Sequence, residues 1–364
     1  MLTSLVGLPV SYLDTPALLV DLDAFEANIK TMAADIKARG ADWRPHSKAN
    51  KCTAIVRKQI EAGAIGVTCA KLAEAEVMAG AGIRDILIAN QIVGPIKARR
   101  LAALAGQADP IVAVDNIDNV RELNAAARAH GTKPRVVIEI NTGMNRCGVD
   151  PGEKVLALAK AVVESEGLRF AGLMAWEGQA MAIADENERR REVERACALL
   201  VGAAEDLRAA GYPVDIVSAG GTATYLTSAG VKGITEIEAG GGIWGDLFYR
   251  ALGANVQPAL KLLTQVISRP TLTRLVVDAG RKTVDPSLYS PTLDGIDVTK
   301  PGSFSAEHGI FELVTPSEKP KVGDRLTFSI GYSDQCNHLH ENFYGIRNGV
   351  IECIWPIAAR GKIQ

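Results

Sequence analysis

Eight strand-like runs alternate with helical stretches between residues 40 and 242, and this alternation restricts the fold more than any other feature of the chain. The runs are short, rich in β-branched residues and followed by polar or glycine-rich segments. Strand–helix alternation predicts parallel βαβ units, and eight of them favour a (β/α)8 TIM barrel over an open doubly wound sheet. The predicted strands are Asp42–Pro45, Ile65–Cys69, Ile86–Ala89, Ile111–Val114, Val136–Ile140, Phe170–Ala175, Asp215–Ser218 and Thr235–Ala239.

The chain changes character after residue 250, where strand-like runs follow one another with turn signals between them. Asn-Gly at positions 348–349 separates two such runs, and this dipeptide is a strong signal for a β-hairpin. We therefore expect a C-terminal antiparallel β domain, which the apolar run in residues 9–20 could join. The predicted domains are an N-terminal segment 1–20, a barrel 21–250 and a β domain 251–364.

Composition removes several classes of function. The formal net charge is −2 and no block of Lys or Arg stands out, so neither a nucleic-acid partner nor a membrane surface is expected. The N-terminus lacks a basic region followed by a long apolar run, and no apolar stretch is long enough to span a bilayer. The six cysteines contain no CxxC pair, which predicts reduced thiols in a cytoplasmic protein.

Barrel active sites lie at the carboxyl ends of the strands, so the segments that follow the predicted strands carry the candidate residues. Glycine-rich loops follow the seventh and eighth strands, and such loops let backbone N–H groups approach a phosphate. A tight βα turn would explain one such loop, but two neighbouring loops favour phosphate binding. The candidate residues in them are Ser218, Gly220, Gly221, Thr222, Gly240 and Gly241.

Lys48 follows the first predicted strand and faces these loops across the expected barrel mouth. A lysine in a partly buried mouth can lose its proton and act as an amine nucleophile. On spacing alone, one of many surface lysines would be the better interpretation. Together with two phosphate-type loops, however, it suggests a cofactor held at both ends.

Several motifs in the same order now resemble one family. They are residues 44–48 (Arg-Pro-His-Ser-Lys), 145–148 (Asn-Arg-Cys-Gly), 218–222 (Ser-Ala-Gly-Gly-Thr) and 278–282 (Asp-Ala-Gly-Arg-Lys). This set is similar to the fold-type III enzymes that use pyridoxal 5′-phosphate (PLP), within the D-threonine aldolase/D-serine dehydratase family that includes 3-hydroxy-D-aspartate aldolases. The likeness covers nearly the whole chain.

The resemblance implies an alanine-racemase-like barrel with a β domain, usually as a homodimer, acting on a small amino acid. It implies PLP bound as a Schiff base to Lys48, with Arg146 near the phenolic oxygen and the glycine loops around the phosphate. Trp176 would lie near the ring face, although a core or rim aromatic would look the same. Glu238 falls near the position that faces the pyridine nitrogen, where a carboxylate would strengthen the electron sink.

One departure from the family concerns a metal. The aldolases carry a His-x-Asp pair before the last hairpin and the dehydratases a His-x-Cys pair, whereas this chain has Tyr332-Ser333-Asp334. Asp334 could still hold Mg²⁺, Mn²⁺ or Zn²⁺ with waters, but neutral tyrosine is a poor ligand. Tyr332 could instead act directly as an acid or base.

The leading functional hypothesis is retro-aldol cleavage of a D-configured β-hydroxy amino acid to glycine and an aldehyde or glyoxylate. His308 is a candidate for the acid or base, with a structural histidine as the alternative. Dehydration by β-elimination and racemisation are the rival reactions. A non-catalytic PLP-binding role is the minor option, because such proteins are typically a barrel alone.

Overall fold

The computed structural model describes residues 2–364, with side chains from residue 4, so Met1 of the predicted N-terminal segment lies outside the described part. The chain divides into two compact units. One consists of Met1–Met32, Ala49–Ile55 and Gly241–Arg360, and the other of Ala33–Lys48, Val56–Gly240 and Gly361–Gln364. The domain bounds proposed from sequence stay a prediction.

Seventeen strands lie within residues 2–364. They are β1 Ala17–Asp21, β2 Asp42–Trp43, β3 Val67–Cys69, β4 Asp85–Gln91, β5 Asp109–Val114, β6 Arg135–Glu139, β7 Arg169–Met174, β8 Ile216–Ala219, β9 Glu236–Ile237, β10 Leu260–Ser268, β11 Arg274–Val277, β12 Thr292–Leu293, β13 Ser303–Phe304, β14 Gly309–Glu312, β15 Arg325–Ser329, β16 Asn342–Arg347 and β17 Val350–Pro356.

Ten α-helices lie in the same part of the chain. They are α1 Leu22–Ala38, α2 Thr53–Glu61, α3 Leu72–Gly80, α4 Pro95–Leu104, α5 Ile117–His130, α6 Glu153–Val163, α7 Glu186–Ala209, α8 Tyr225–Ser228, α9 Leu247–Ala251 and α10 Ser333–Cys336. Side chains mark some of their ends: Asn116 caps α5, Asp185 caps α7, and Gly131 ends α5 in the left-handed conformation.

Strands β2 to β9 form one parallel sheet in the order β2-β9-β8-β7-β6-β5-β4-β3. The sheet closes on itself, because Ile65 N–H donates to Trp43 O at 2.9 Å and Thr68 N–H donates to Pro45 O at 3.0 Å. All eight strands predicted from sequence are present, with bounds that differ by a few residues. The predicted (β/α)8 barrel is therefore confirmed.

Apolar side chains from successive strands fill the barrel unit. Leu87, Ile111, Val137 and Met174 belong to one buried cluster contributed by four different strands. Parallel strands flanked by helices are buried on both faces, which is why these strands read as continuous apolar runs in the sequence.

Alternating arginines and carboxylates close the amino-terminal end of the barrel. The buried Arg44 guanidinium contacts Glu236 at 3.0 Å through both Nε and Nη2, and Asp85 at 2.7 Å through Nη1. Arg135, at the start of β6, contacts the same Asp85 carboxylate, at the start of β4, at 2.5 Å. Because Arg44 and Glu236 are both buried, their charges stabilise each other only as long as both are present.

The second sheet lies in the other unit and includes the N-terminal strand. Its order is β13-β14-β11-β10-β1-β16-β17, and β15 pairs with both β10 and β12. β1 runs antiparallel to β10 but parallel to β16, so this otherwise antiparallel sheet contains one parallel pair that the sequence pattern did not indicate. The hairpin predicted at Asn348-Gly349 joins β16 to β17, and both turn residues have positive φ.

Two expectations from composition can be compared with the structure. None of the six cysteines, all of which lie in the described part of the chain, forms a disulfide. Among residues 2–364, no helix is long and apolar enough to cross a membrane.

We expect Arg44→Met to lower the free energy of unfolding by about 3–5 kcal/mol, because it leaves the Glu236 carboxylate buried without its cation. Urea denaturation would measure the loss. Arg121→Ala is the matched control, since it removes an exposed pair with Asp118 and should change stability by no more than about 0.5 kcal/mol. Equal losses in the two variants would contradict the assignment of the buried pair.

Candidate active site

Lys48 lies in a single 3₁₀ turn, Ser47–Ala49, directly after the first barrel strand. The buried Ser47 hydroxyl donates to Glu74 Oε1 at 2.6 Å, and its Oγ lies 3.1 Å from Thr68 O. Glu74 is fully buried and also accepts the N–H of Ala70 at 3.0 Å. The backbone before Lys48 is therefore fixed by a buried carboxylate, while the Lys48 side chain itself is exposed.

The backbone after Lys48 is fixed as well. The carbonyl oxygen of Ala49 accepts two hydrogen bonds, one from Trp244 Nε1 and one from Asn337 Nδ2, each at 2.7 Å. Trp244 and Asn337 are both buried. Because a carbonyl oxygen has two lone pairs, this acceptor is saturated, and the backbone that carries Lys48 is held on both sides.

Glu238 is the buried carboxylate next to this segment. Its backbone carbonyl accepts the N–H of His46 at 3.0 Å, and its Oε1 accepts the Ser218 hydroxyl at 2.9 Å. Burial raises the pKa of Glu238 to about 8, and the positive charge of Lys48 is among the smaller effects that oppose this rise. The residues predicted on three separate strand ends are thus brought together.

The two glycine loops leave no room for side chains. A Cβ on Gly240 would collide with the backbone of His46, and a Cβ on Gly221 would collide with the Trp176 ring. Gly220 has φ +83°, a conformation that favours glycine. The loops therefore lie directly against the Lys48 segment and against Trp176.

Arg146 follows the fifth predicted strand and is half exposed. Its Nη2 lies 3.8 Å from Glu139 Oε1, and Gln91 Nε2 donates to the other oxygen of that carboxylate at 2.5 Å. Burial raises the pKa of Glu139. Arg146 and Trp176 line one depression together with Cys147, so a cation and an aromatic ring face the same space.

The remaining predicted residues belong to the other compact unit. His308 is exposed at the end of the turn between β13 and β14, where its carbonyl accepts the N–H of Ser305 at 3.0 Å. Gly241 begins a buried 3₁₀ turn, Gly241–Trp244. Tyr332 and Asp334 lie at the start of α10. The roles proposed for these residues stay predictions.

Tyr332 lies in an aromatic cluster with a buried carboxylate beneath it. Its ring packs edge-on against Phe248 and Tyr249, with centroid separations of 5.1 and 5.7 Å. The intervening Ser333 donates its N–H and its hydroxyl to Asp246 Oδ2 at 2.9 and 2.6 Å. Burial raises the pKa of Asp246 to about 6. The backbone beside Tyr332 is therefore held by a buried acidic side chain.

The chemistry of this cluster does not suit the divalent metal that the family pattern would imply. Tyr332 Oη donates to Asp334 Oδ2 at 3.2 Å, so the phenol already occupies one carboxylate oxygen. Burial, together with Asp334, raises the pKa of Tyr332 and keeps it a neutral hydroxyl. Within residues 2–364, no three His, Cys, Asp or Glu side chains are grouped as a metal site.

Sequence patterns missed the acids that support the site. Glu74, Glu139, Glu177 and Asp246 are all buried or nearly so, and each accepts hydrogen bonds from site segments or their neighbours. Glu139 is the penultimate residue of the fifth predicted strand and Glu177 follows the end of the sixth, and these positions were a signal that could have identified them. Glu74 lies inside a helix and gave no such signal.

A closed (β/α)8 barrel with a lysine and two glycine loops at its mouth defines the alanine-racemase-like class of proteins. Comparison with known families agrees: residues 20–247 match the family described as Alanine racemase, N-terminal domain, and residues 259–346 match that described as Putative serine dehydratase domain. The chain belongs to the family that combines these two domains and includes D-threonine aldolase and 3-hydroxy-D-aspartate aldolase.

Similarity to individual members extends along the whole chain. The chain is 34% identical to 3-hydroxy-D-aspartate aldolase of Paracoccus denitrificans (strain Pd 1222), and the match covers 99% of this chain and 95% of the relative. It is also 34% identical to D-threonine aldolase of an Arthrobacter species, covering 98% and 95%. The crystal structure of D-threonine aldolase from Filomicrobium marinum superposes with a TM-score of 0.94 at 36% identity over 99% of both chains.

PLP is the cofactor expected for this fold, and the donor set of the barrel unit fits it. Lys48 supplies an amine, the glycine loops pack directly against His46 and Trp176 beside it, and Glu238 with Ser218 supplies a buried carboxyl group. Arg146 supplies a cation on the same depression as Trp176. Each end of such a cofactor thus has a chemically suitable partner.

We expect the cofactor-free protein to become less stable as the pH rises from about 4.5 to about 8. Folding raises the pKa of Glu238 from 4.5 to about 8, so the folded state holds a proton that the unfolded state has lost in this range. Glu238→Gln cannot ionise and should flatten the upper part of this decline. Thermal unfolding at a series of pH values would measure this change in stability. Glu164→Gln on the surface is the control. An unchanged slope of stability against pH in Glu238→Gln would refute the buried, protonated carboxyl.

Proposed function

We propose that this chain is a PLP-dependent lyase that cleaves a D-configured β-hydroxy amino acid of the D-threonine or 3-hydroxy-D-aspartate type into glycine and an aldehyde or glyoxylate. The observation that carries the proposal is the convergence of Lys48, Glu238 and two glycine loops at one barrel mouth. The family membership supports retro-aldol chemistry, because full-length relatives are named aldolases.

Each part of the mouth has a proposed role. Lys48 Nζ is the amine that holds the cofactor's aldehyde carbon, and its exposure leaves it open to exchange with a substrate amine. Glu238 faces the pyridine nitrogen, and Arg146 carries positive charge beside the ring. Gly220, Gly221, Thr222, Gly240 and Gly241 surround the phosphate. When bound, PLP supplies the electron sink that makes a bond at the substrate α-carbon breakable.

The chain's own residues must also move a proton at the substrate hydroxyl. Tyr332 is the better-defined candidate, because its hydroxyl is hydrogen-bonded to Asp334 and its backbone neighbour is anchored to Asp246. His308 is the second candidate and is exposed. A neutral phenol can accept the proton of the substrate hydroxyl only while it passes its own proton to the Asp334 carboxylate, so Tyr332 and Asp334 would act as a pair.

We further propose that the reaction proceeds without a divalent metal. A neutral, hydrogen-bonded tyrosine at position 332 removes the histidine that its relatives would offer to a metal, and the remaining carboxylate is partly used by that tyrosine. We also propose that the protein assembles as a homodimer, because the family resemblance implies it. A cytoplasmic location is proposed from the composition.

Purified protein loaded with PLP is expected to release glycine from a D-β-hydroxy amino acid but not from its L-isomer. The assay uses D- and L-threonine, serine and 3-hydroxyaspartate, and separates glycine, 2-oxo acid and the opposite enantiomer. Lys48→Ala should abolish turnover, whereas the exposed Lys154→Ala should retain it. A 2-oxo acid without glycine would point instead to β-elimination, and the opposite enantiomer alone would point to racemisation.

Exhaustive chelation is expected to leave the turnover of the native protein unchanged, since no metal takes part. Tyr332→His should create a His-x-Asp pair that binds Mn²⁺. Calorimetry would measure this binding. Tyr332→Phe is the control that removes the hydroxyl without adding a ligand. Loss of native activity on chelation, restored by Mn²⁺, would contradict the metal-free proposal.

A further inference from the structure

Glu177 lies between the two features that shape the cofactor site, and it follows the end of the sixth predicted strand. It directly follows Trp176 after β7 and is only 2% exposed. The Trp176 ring contacts the Gly221 side of the glycine loop, while the Glu177 carboxylate accepts hydrogen bonds from Gly220 and Thr224.

Three groups of the glycine loop and its helix donate to the Glu177 carboxylate. Thr224 Oγ1 and Ser228 Oγ donate to Oε1 at 2.6 and 2.7 Å, and the N–H of Gly220 donates to Oε2 at 3.3 Å. The N–H of Gly221 in turn donates to Thr224 Oγ1 at 3.0 Å. Thr224 thus relays the loop backbone to the carboxylate.

The N–H groups of both glycines are therefore directed inward, towards Glu177 and Thr224. This arrangement sets the conformation of residues 220–224, including the left-handed Gly220. It also places Gly221, which has no Cβ, in close contact with the Trp176 ring. The packing of Gly221 on Trp176 and the hydrogen bonds to the Glu177 carboxylate together determine where the loop lies.

We propose that Glu177 is a positioning residue that holds the loop 220–224 in the shape that receives the cofactor's phosphate. The proposal rests on the proposed PLP function and adds a residue that does not itself contact the cofactor. A carboxylate suits this position because it only accepts hydrogen bonds, and all three neighbours donate. Glutamine has the same shape but presents one NH₂ group, so one of these donors loses its acceptor.

The test compares two cofactors that differ only in the phosphate. PLP and pyridoxal both offer an aldehyde to Lys48, but only PLP engages the phosphate loop. We expect Glu177→Gln to raise the Kd for PLP by roughly ten-fold or more, the effect of one lost hydrogen bond to a charged group, and to leave the Kd for pyridoxal unchanged. Both constants follow from the visible absorbance of the bound cofactor.

Control variants separate positioning from general damage. Glu164→Gln makes the same chemical change on the exposed end of α6 and should alter neither Kd. Thr224→Val removes the relay and should weaken PLP in the same way as Glu177→Gln, whereas Thr224→Ser keeps the hydroxyl and should restore near-native affinity. Because Glu177 and Thr224 act through one network, the double variant should lose less than the sum of the two single losses.

The outcomes distinguish this proposal from the function on which it rests. Equal weakening of PLP and pyridoxal, or no weakening of either, overturns the positioning role while PLP binding by the native protein stands. Failure of the native protein to bind either compound overturns the PLP function, and the positioning role with it. Selective loss of PLP affinity, rescued in Thr224→Ser, supports both.

Discussion

The closed ladder of parallel strands is the constraint from which the site follows. Hydrogen bonds from Ile65 to Trp43 and from Thr68 to Pro45 join the first strand to the second, so the sheet has no free edge in the barrel unit. Closure brings all eight carboxyl ends to one mouth, and residues far apart in sequence meet there. The buried Arg44 pairs at the opposite end hold the strand starts together by charge.

Buried acidic side chains support the segments at the barrel mouth, each through different contacts. Glu74 fixes Ser47 next to Lys48, Glu177 fixes the glycine loop, and Glu238 stays largely protonated because burial raises its pKa. A buried carboxylate is costly without donors, so the surrounding chain supplies hydroxyl and N–H groups in fixed directions. These donors offset the cost of burying the three acidic side chains and hold each of them in a fixed position.

Much of this could be predicted, and the limits of prediction have physical reasons. The strands and the Asn348-Gly349 hairpin were readable because burial on both faces and positive φ leave local signatures. The parallel pairing of β1 with β16 was not readable, because pairing partners more than 300 residues apart leave no local trace. Likewise Asn337 donates to Ala49 across 288 residues, a contact that no periodicity indicates.

The sequence by itself determined the barrel, the order of its strands and the glycine loops, because each depends on local pattern, and it made Lys48 the candidate for the reactive amine. The family resemblance added the prediction that tyrosine stands at position 332 in place of a histidine. Only the tertiary structure decided how the backbone around Lys48 is held, that Glu177 accepts hydrogen bonds from the glycine loop, and that Tyr332 donates to Asp334. Hydrogen-bond direction and burial depend on which segments meet in space, and that information exists only in the folded chain.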